Sequence, residues 1–187
     1  MGDKKGKIVI ISGPSGVGKS TICREVVKRL DNIYLSVSAT TRPKAKDEVD
    51  GRDYWFISNQ QFAQWIKEGK FLEYAEVFGN LYGTPKDKVE QALAEGKTVI
   101  LEIDVAGARQ VKAIYPQAKM IFIFPPNQKE LARRMDNRGR ENAIKAWERL
   151  SGADAEMAAA NELYEYKVVN DDLQAAVSKV VQIIRDL

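Results

Sequence analysis

Apolar residues along this chain fall into two patterns. Lys7–Ser12, Thr98–Ile103 and Lys119–Phe124 are short, nearly unbroken apolar runs rich in β-branched residues, the signature of strands buried on both faces. Elsewhere the spacing is helical: Ile22, Val26, Val27 and Leu30 form one stripe, and Leu173, Val177, Val180, Ile184 and Leu187 form another. Tyr34–Ser38, Phe71–Phe78 and Lys167–Val169 read as further strands, with Gly79-Asn80 as a turn. Ser58-x-x-Gln61 and Asn127-x-x-Glu130 have the form of capping boxes, the first opening a helix that stops near Gly69. Thr84 is read as the cap of another helix, with Pro85 at its first position and Gly96 past its end. Residues 39–51, charged and proline-containing, are expected to be a loop, and residues 141–164 a long polar helix.

Alternating core strands and helices predict an α/β fold with a parallel, doubly wound sheet flanked by helices. Two segments interrupt the alternation. Residues 37–84 read as a small mixed α+β lobe, and residues 128–164 as an arginine-rich helical segment. The expected organisation is one domain, 1–187, whose core comprises 1–36, 85–127 and 165–187. Both interrupting segments are candidates for covers over a site at the carboxyl ends of the strands.

Composition narrows the chemistry. The 187 residues are 44% hydrophobic and 29% charged, ordinary for a globular enzyme, and no apolar run is long enough to span a membrane. A net charge of +3 gives no argument for nucleic-acid binding. The single cysteine, Cys23, excludes an intrachain disulfide framework and suits the cytoplasm. There is no histidine, which removes the commonest general base and metal ligand, along with any Ser-His-Asp triad. Phosphoryl transfer fits what remains, because it depends on positioning and charge stabilisation more than on a protein nucleophile.

Gly13-Pro14-Ser15-Gly16-Val17-Gly18-Lys19-Ser20 matches the phosphate-binding P-loop pattern and lies between a predicted strand and a predicted helix. Its backbone N–H groups and the helix N-terminus would cradle phosphate oxygens. Lys19 would reach the β- and γ-phosphates, and the Ser20 hydroxyl would help hold Mg²⁺. Val99-Ile100-Leu101-Glu102-Ile103-Asp104 is an apolar strand ending in two acids, as a Walker-B-like segment would be. No Asn-Lys-x-Asp segment of the kind a GTPase uses to read guanine is present.

Longer motifs make the chain resemble the guanylate kinase family. They are Ser36-Val37-Ser38-Ala39-Thr40-Thr41-Arg42-Pro43, the stretch Glu48–Phe56, Phe71-Leu72-Glu73-Tyr74-Ala75, Tyr82-Gly83-Thr84, Leu101–Gly107 and Val169-Asn170-Asp171. The resemblance covers Lys7–Leu187. It implies ATP- and Mg²⁺-dependent phosphorylation of GMP, and of dGMP, to the diphosphate, by a monomer or homo-oligomer with no nucleic-acid or membrane partner. It makes 37–84 the GMP-binding lobe and 128–164 the lid. ATP would be bound by Gly13 to Ser20, by Thr21 and by Asn170. GMP would be bound by Ser38, Arg42, Tyr54, Glu73, Tyr82, Thr84, Glu102 and Asp104. The implied catalytic set is Lys19, Arg42, Arg134, Arg138 and Arg149. Glu73 is suited to accept from guanine N1 and N2, Ser38 and Thr84 to donate to O6 or N7, and Asp104 to take the remaining amino protons.

Two places depart from the family pattern. Where the family carries a second phosphate-binding arginine, this chain has Ala45, between Lys44 and Lys46, and Asp47 replaces a glycine. After Arg138-Gly139 the family has Thr and a pair of acids, whereas this chain reads Arg140-Glu141-Asn142-Ala143-Ile144-Lys145. Two other readings share these motifs: a guanylate-kinase-like module that only binds a protein, and a kinase of the same fold for another monophosphate. The intact P-loop argues against the first, and Glu73 with Ser38 and Thr84 against the second.

Overall fold

The computed structural model describes the backbone of residues 6–136 and 143–187 and the side chains of 6–135 and 152–187. Its centre is a five-stranded sheet in the order β2-β7-β1-β8-β9, formed by β1 (Lys7–Ser12), β2 (Ile33–Leu35), β7 (Thr98–Glu102), β8 (Lys119–Phe124) and β9 (Tyr166–Val169). Every pairing in it is parallel, as the alternating sequence pattern predicts. Side chains alternate across β1. Val9 and Ile11 face one core with Ile22, Val26, Val177 and Val180, while Ile8 and Ile10 face a second core with Val99, Leu101, Val111 and Phe122. A strand covered on both faces needs apolar residues at every position, which is why its sequence shows an unbroken run and no alternation.

Helices α1 (Lys19–Arg29) and α7 (Leu173–Arg185) cover the first face and pack on each other. Asp172 caps α7 by accepting from the Ala175 N–H at 2.8 Å. The other face takes α3 (Lys86–Ala94) and α4 (Val105–Ile114). Helix α4 was not legible in the periodicity; it begins where Asp104 caps it by accepting from the Gly107 N–H at 2.7 Å.

A second sheet, in the order β4-β3-β6-β5, is formed by β3 (Ala39–Thr40), β4 (Trp55–Phe56), β5 (Phe71–Val77) and β6 (Asn80–Pro85), with α2 (Asn59–Lys67) beside it. Part of the expected 39–51 loop is therefore strand: Ala39 and Thr40 are fully buried and pair with both Trp55–Phe56 and Tyr82–Gly83. Ser58 caps α2 as expected, accepting from Gln61 N–H at 3.1 Å. The expected cap at Thr84 is not formed. Thr84 is a residue of β6, and α3 begins after Pro85 with no side-chain cap. Its hydroxyl serves a carboxylate across the sheet instead, as described below.

Helices α5 (Gln128–Asp136) and α6 (Ala143–Leu163) follow β8. Asn127 accepts from Glu130 N–H at 2.8 Å, but the reciprocal half of the capping box is missing because the Glu130 carboxylate takes Arg133 and Arg134, each at 2.8 Å. The expected helix start at Glu141 lies outside the described residues.

Candidate active site

A cleft of about 230 Å³ opens between the carboxyl ends of β1 and β7, the second sheet and α6. A larger cavity, about 650 Å³, lies at the amino ends of the strands. Its walls include Ile8, Leu93, Tyr115 and Leu187, without a phosphate-binding loop or an acid pair, so the chemistry belongs to the smaller cleft.

The P-loop forms one wall. β1 delivers it and α1 leaves it, with Gly18 at the helix N-cap in a left-handed conformation (φ 101°). A side chain there would also collide with Asn170, since a Cβ would sit 2.6 Å from the Asn170 amide nitrogen. That amide donates to Val17 O at 2.7 Å, fastening the loop to the end of β9. Lys19 Nζ donates to the carbonyls of Gly13 and Pro14, which hold it at the mouth of the loop. Ser20 Oγ donates to Glu102 Oε1 at 2.7 Å. Gly13, Ser15, Gly16 and Gly18 line the cleft, whereas Val17 is buried beneath them. Pro14 and Thr21 are not among the lining residues.

The opposite wall comes from β5 and β6. A bulge between Phe71 and Glu73 makes consecutive residues, Leu72 and Glu73, both face inward. Leu72 enters the core and Glu73 enters the cleft, only 5% exposed. Thr84, its cross-strand partner, donates to Glu73 Oε1 at 2.6 Å. Burial is the main force on this carboxyl, and the charge of Asp104 adds to it against the Thr84 bond; together they push it up to about 7. Gly107 is required here for space, because a Cβ on it would lie 2.3 Å from Glu73 Oε2. Ser38, Glu102 and Asp104 also line the cleft.

Arg42, Tyr54 and Tyr82 gather at the edge of this sheet. The Arg42 guanidinium lies 5.3 Å from the Tyr54 ring centroid and donates to both Glu48 carboxylate oxygens, at 2.7 and 3.0 Å. The Tyr54 and Tyr82 rings meet edge to face at 5.9 Å, and burial raises the Tyr54 phenol well above its ordinary value. Glu48 also accepts from the Ala45 N–H at 2.8 Å, while Lys44 Nζ donates to Glu48 O at 3.1 Å.

Arg134 donates to Glu130 and, at 3.0 Å, to Asn170 O, so it abuts the P-loop's support. Arg138 and Arg140 lie outside the described residues, as does the Arg149 side chain. Sequence reasoning missed Glu156 on α6. It lines the cleft, faces Lys19 and Asp104, and burial pushes its carboxyl up to about 7. Its only sequence signal was position on a helix whose polar face could not be read from periodicity.

The guanylate kinase family model matches residues 5–187. The guanylate kinase of Synechocystis sp. is 46% identical over 180 residues, covering 96% of this chain and 94% of that one. The guanylate kinase of Thermosynechococcus vestitus is 48% identical over 172 residues, covering 92% and 90%. The crystal structure of guanylate kinase from Anaplasma phagocytophilum superposes with a TM-score of 0.83 at 34% identity, covering 98% of this chain and 87% of that chain.

Proposed function

The chain belongs to the guanylate kinase family, and from that premise we propose how its cleft phosphorylates GMP. It is a nucleoside monophosphate kinase that transfers the γ-phosphoryl group of ATP to GMP, giving ADP and GDP. The observation that carries the site assignment is the buried Glu73 carboxylate, held from behind by Thr84, facing the P-loop across one cleft. A carboxylate there matches the N1–H and N2–H₂ donors of guanine. Adenine offers no such donor pair on its corresponding edge.

ATP lies with its phosphates on Gly13–Ser20, and Lys19 reaches the transferring group. GMP lies against Glu73, Ser38 and Asp104, with its phosphate held by Arg42, Tyr54 and Tyr82. Thr84 acts on guanine through Glu73, since its hydroxyl hydrogen is already committed. Asn170 supports the loop and borders the adenine side. Ser20 and Glu102 place two hard oxygen ligands 2.7 Å apart at the end of the P-loop, a donor set that fits Mg²⁺ directly or through water. When bound, that ion would neutralise charge on the β- and γ-phosphates. Arg134, with Arg138 and Arg149, would close on the same phosphates. dGMP fits the same pocket, because none of these contacts needs the 2′-hydroxyl. Functionally, residues 37–84 are the GMP lobe, 128–164 the lid and the remainder the core. Among the described residues, no helix is long and apolar enough to cross a membrane. Cys23 is buried and is the only cysteine, which suits a reducing cytoplasm.

The pH dependence of GMP use tests the assignment. Glu73 must be ionised to accept from guanine, and it holds its proton up to about pH 7. The KM for GMP is expected to fall as pH rises from about 6 to 8, by roughly tenfold below the pKa for each pH unit. The KM for ATP, measured at saturating GMP, should not follow it. A flat GMP profile across this range contradicts the role given to Glu73.

Ala45 sets a second expectation. A phosphate monoester is best matched by planar, bidentate guanidinium forks, and here Arg42 is the one fork at the subsite edge among the described residues. The Ala45 N–H donates to Glu48, Arg42's partner, so an arginine at 45 would stem from backbone that adjoins the Arg42–Glu48 pair. Ala45→Arg is expected to lower the KM for GMP several-fold with kcat little changed. Lys44→Ala with Lys46→Ala should raise it. Steady-state kinetics in GMP checks both.

A further inference from the structure

The tip of the β5–β6 hairpin breaks a local rule. Val77 pairs with Asn80, so the connection is the two residues Phe78 and Gly79, and both have positive φ, 49° and 75°. This mirror-image turn suits the right-handed twist of the strands but favours Asn-Gly or Gly-Gly. A phenylalanine in the left-handed region is an outlier, costly because its Cβ crowds the backbone. Such outliers persist where something outside the local turn rewards them.

The ring shows where that reward lies. Phe78 is 47% exposed to solvent, yet it lines the cleft together with the P-loop and Glu156 of α6. Its Cζ lies 4.0 Å from the point a Cβ on Gly152 would occupy. Gly152 is itself out of place, in the interior of a 21-residue helix where glycine is a poor choice. Two locally unfavourable residues, one at the hairpin tip and one in the helix, thus face each other across the mouth of the cleft. A Cβ at 152 would just reach the ring at ordinary van der Waals distance, so the glycine marks where helix and ring come together, and only a longer side chain there would displace the ring.

We propose that Phe78 is a positioning residue for phosphoryl transfer, an aromatic clasp that seats on α6 at Gly152 and makes the lobe holding GMP and the helix bordering the ATP phosphates close as one unit. The proposal rests on the assignment of the cleft to GMP and ATP. The clasp touches no reacting atom. It limits water at the γ-phosphate by keeping the two walls together, so that ATP is consumed only with GMP as acceptor.

The test is Phe78→Asn, which gives the turn its preferred residue, beside Phe78→Tyr, which keeps the ring. Melting temperature, kcat/KM for GMP, and the ratio of ADP to GDP formed are measured for each. Phe78→Asn is expected to melt at or above the wild-type temperature, to lose about fivefold or more in kcat/KM for GMP, and to form ADP in excess of GDP. Phe78→Tyr should restore kcat/KM and a ratio of one. Gly152→Leu, which fills the seat from the other side in a residue that favours helix, should reproduce the Phe78→Asn kinetics. The double variant should be no worse than either single one, as coupled sites require. Wild-type kcat/KM and an ADP:GDP ratio of one in both Phe78→Asn and Gly152→Leu, at any melting temperature, would overturn the clasp while leaving the cleft assignment standing. A wild type that forms no GDP would overturn both.

Discussion

Lys19→Ala is expected to lower kcat by about 10²–10³-fold or more while the protein stays folded, in line with losing one preorganised group that meets transition-state charge. The lysine is the first residue of α1, and its Nζ is held at the mouth of the P-loop by the Gly13 and Pro14 carbonyls. No other lysine lines the cleft among the described residues, so no neighbour substitutes for it there. The fold does not depend on it, because α1 is anchored by Ile22, Cys23 and Val26, all fully buried. Thermal melting beside single-turnover kinetics separates the two effects. Near-normal turnover in a folded variant contradicts the assignment of phosphate chemistry to this loop.

Glu73→Gln should have an effect of similar size, and it should move stability and activity in opposite directions. In the folded protein Glu73 holds its proton up to about pH 7, against an ordinary 4.5, chiefly because it is buried. Between those values the folded state binds the proton more tightly than the unfolded chain, so stability falls as pH rises through that window. Above it, the buried charge costs about 3 kcal/mol. Glutamine keeps the shape and an oxygen for Thr84 but carries no charge. The variant is expected to melt higher than wild type at pH 8, with the difference shrinking towards pH 5. Its amide presents a donor where guanine also presents donors, and kcat/KM for GMP should fall by about 10²–10⁴-fold, the range for leaving buried polar groups mismatched. ATP binding, measured by titration calorimetry, should change little. Equal losses for both nucleotides contradict the role of Glu73.

How much of this was readable beforehand follows from how local each signal is. The P-loop was legible because glycine spacing, a preceding apolar strand and a following amphipathic helix all lie within adjacent residues. The parallel sheet was legible because strands covered on both faces must be apolar throughout. Thr84 was misread because Thr-Pro before a polar stretch is a good helix start. What decides its role is Glu73, eleven positions away in sequence and opposite it across the β5–β6 pair. Helix α4 escaped because its start depends on the Asp104 cap, while Gly107 has no side chain to add to an apolar stripe. Glu156 escaped because its significance comes from sharing the cleft with Lys19, a residue far from it in sequence.

The central claim is that one cleft joins ATP to GMP in preference to other monophosphates. The direct measurement is ADP release, coupled to a detection enzyme, with ATP and saturating GMP, AMP, CMP or UMP in parallel, and GDP identified by nucleotide separation. The account predicts rapid ADP release with GMP, one GDP formed per ADP, and rates with the other three lower by about 10²-fold or more, as expected when a buried carboxylate meets a base without the matching donors. Comparable rates with AMP, or ADP release that does not depend on any monophosphate, would contradict it.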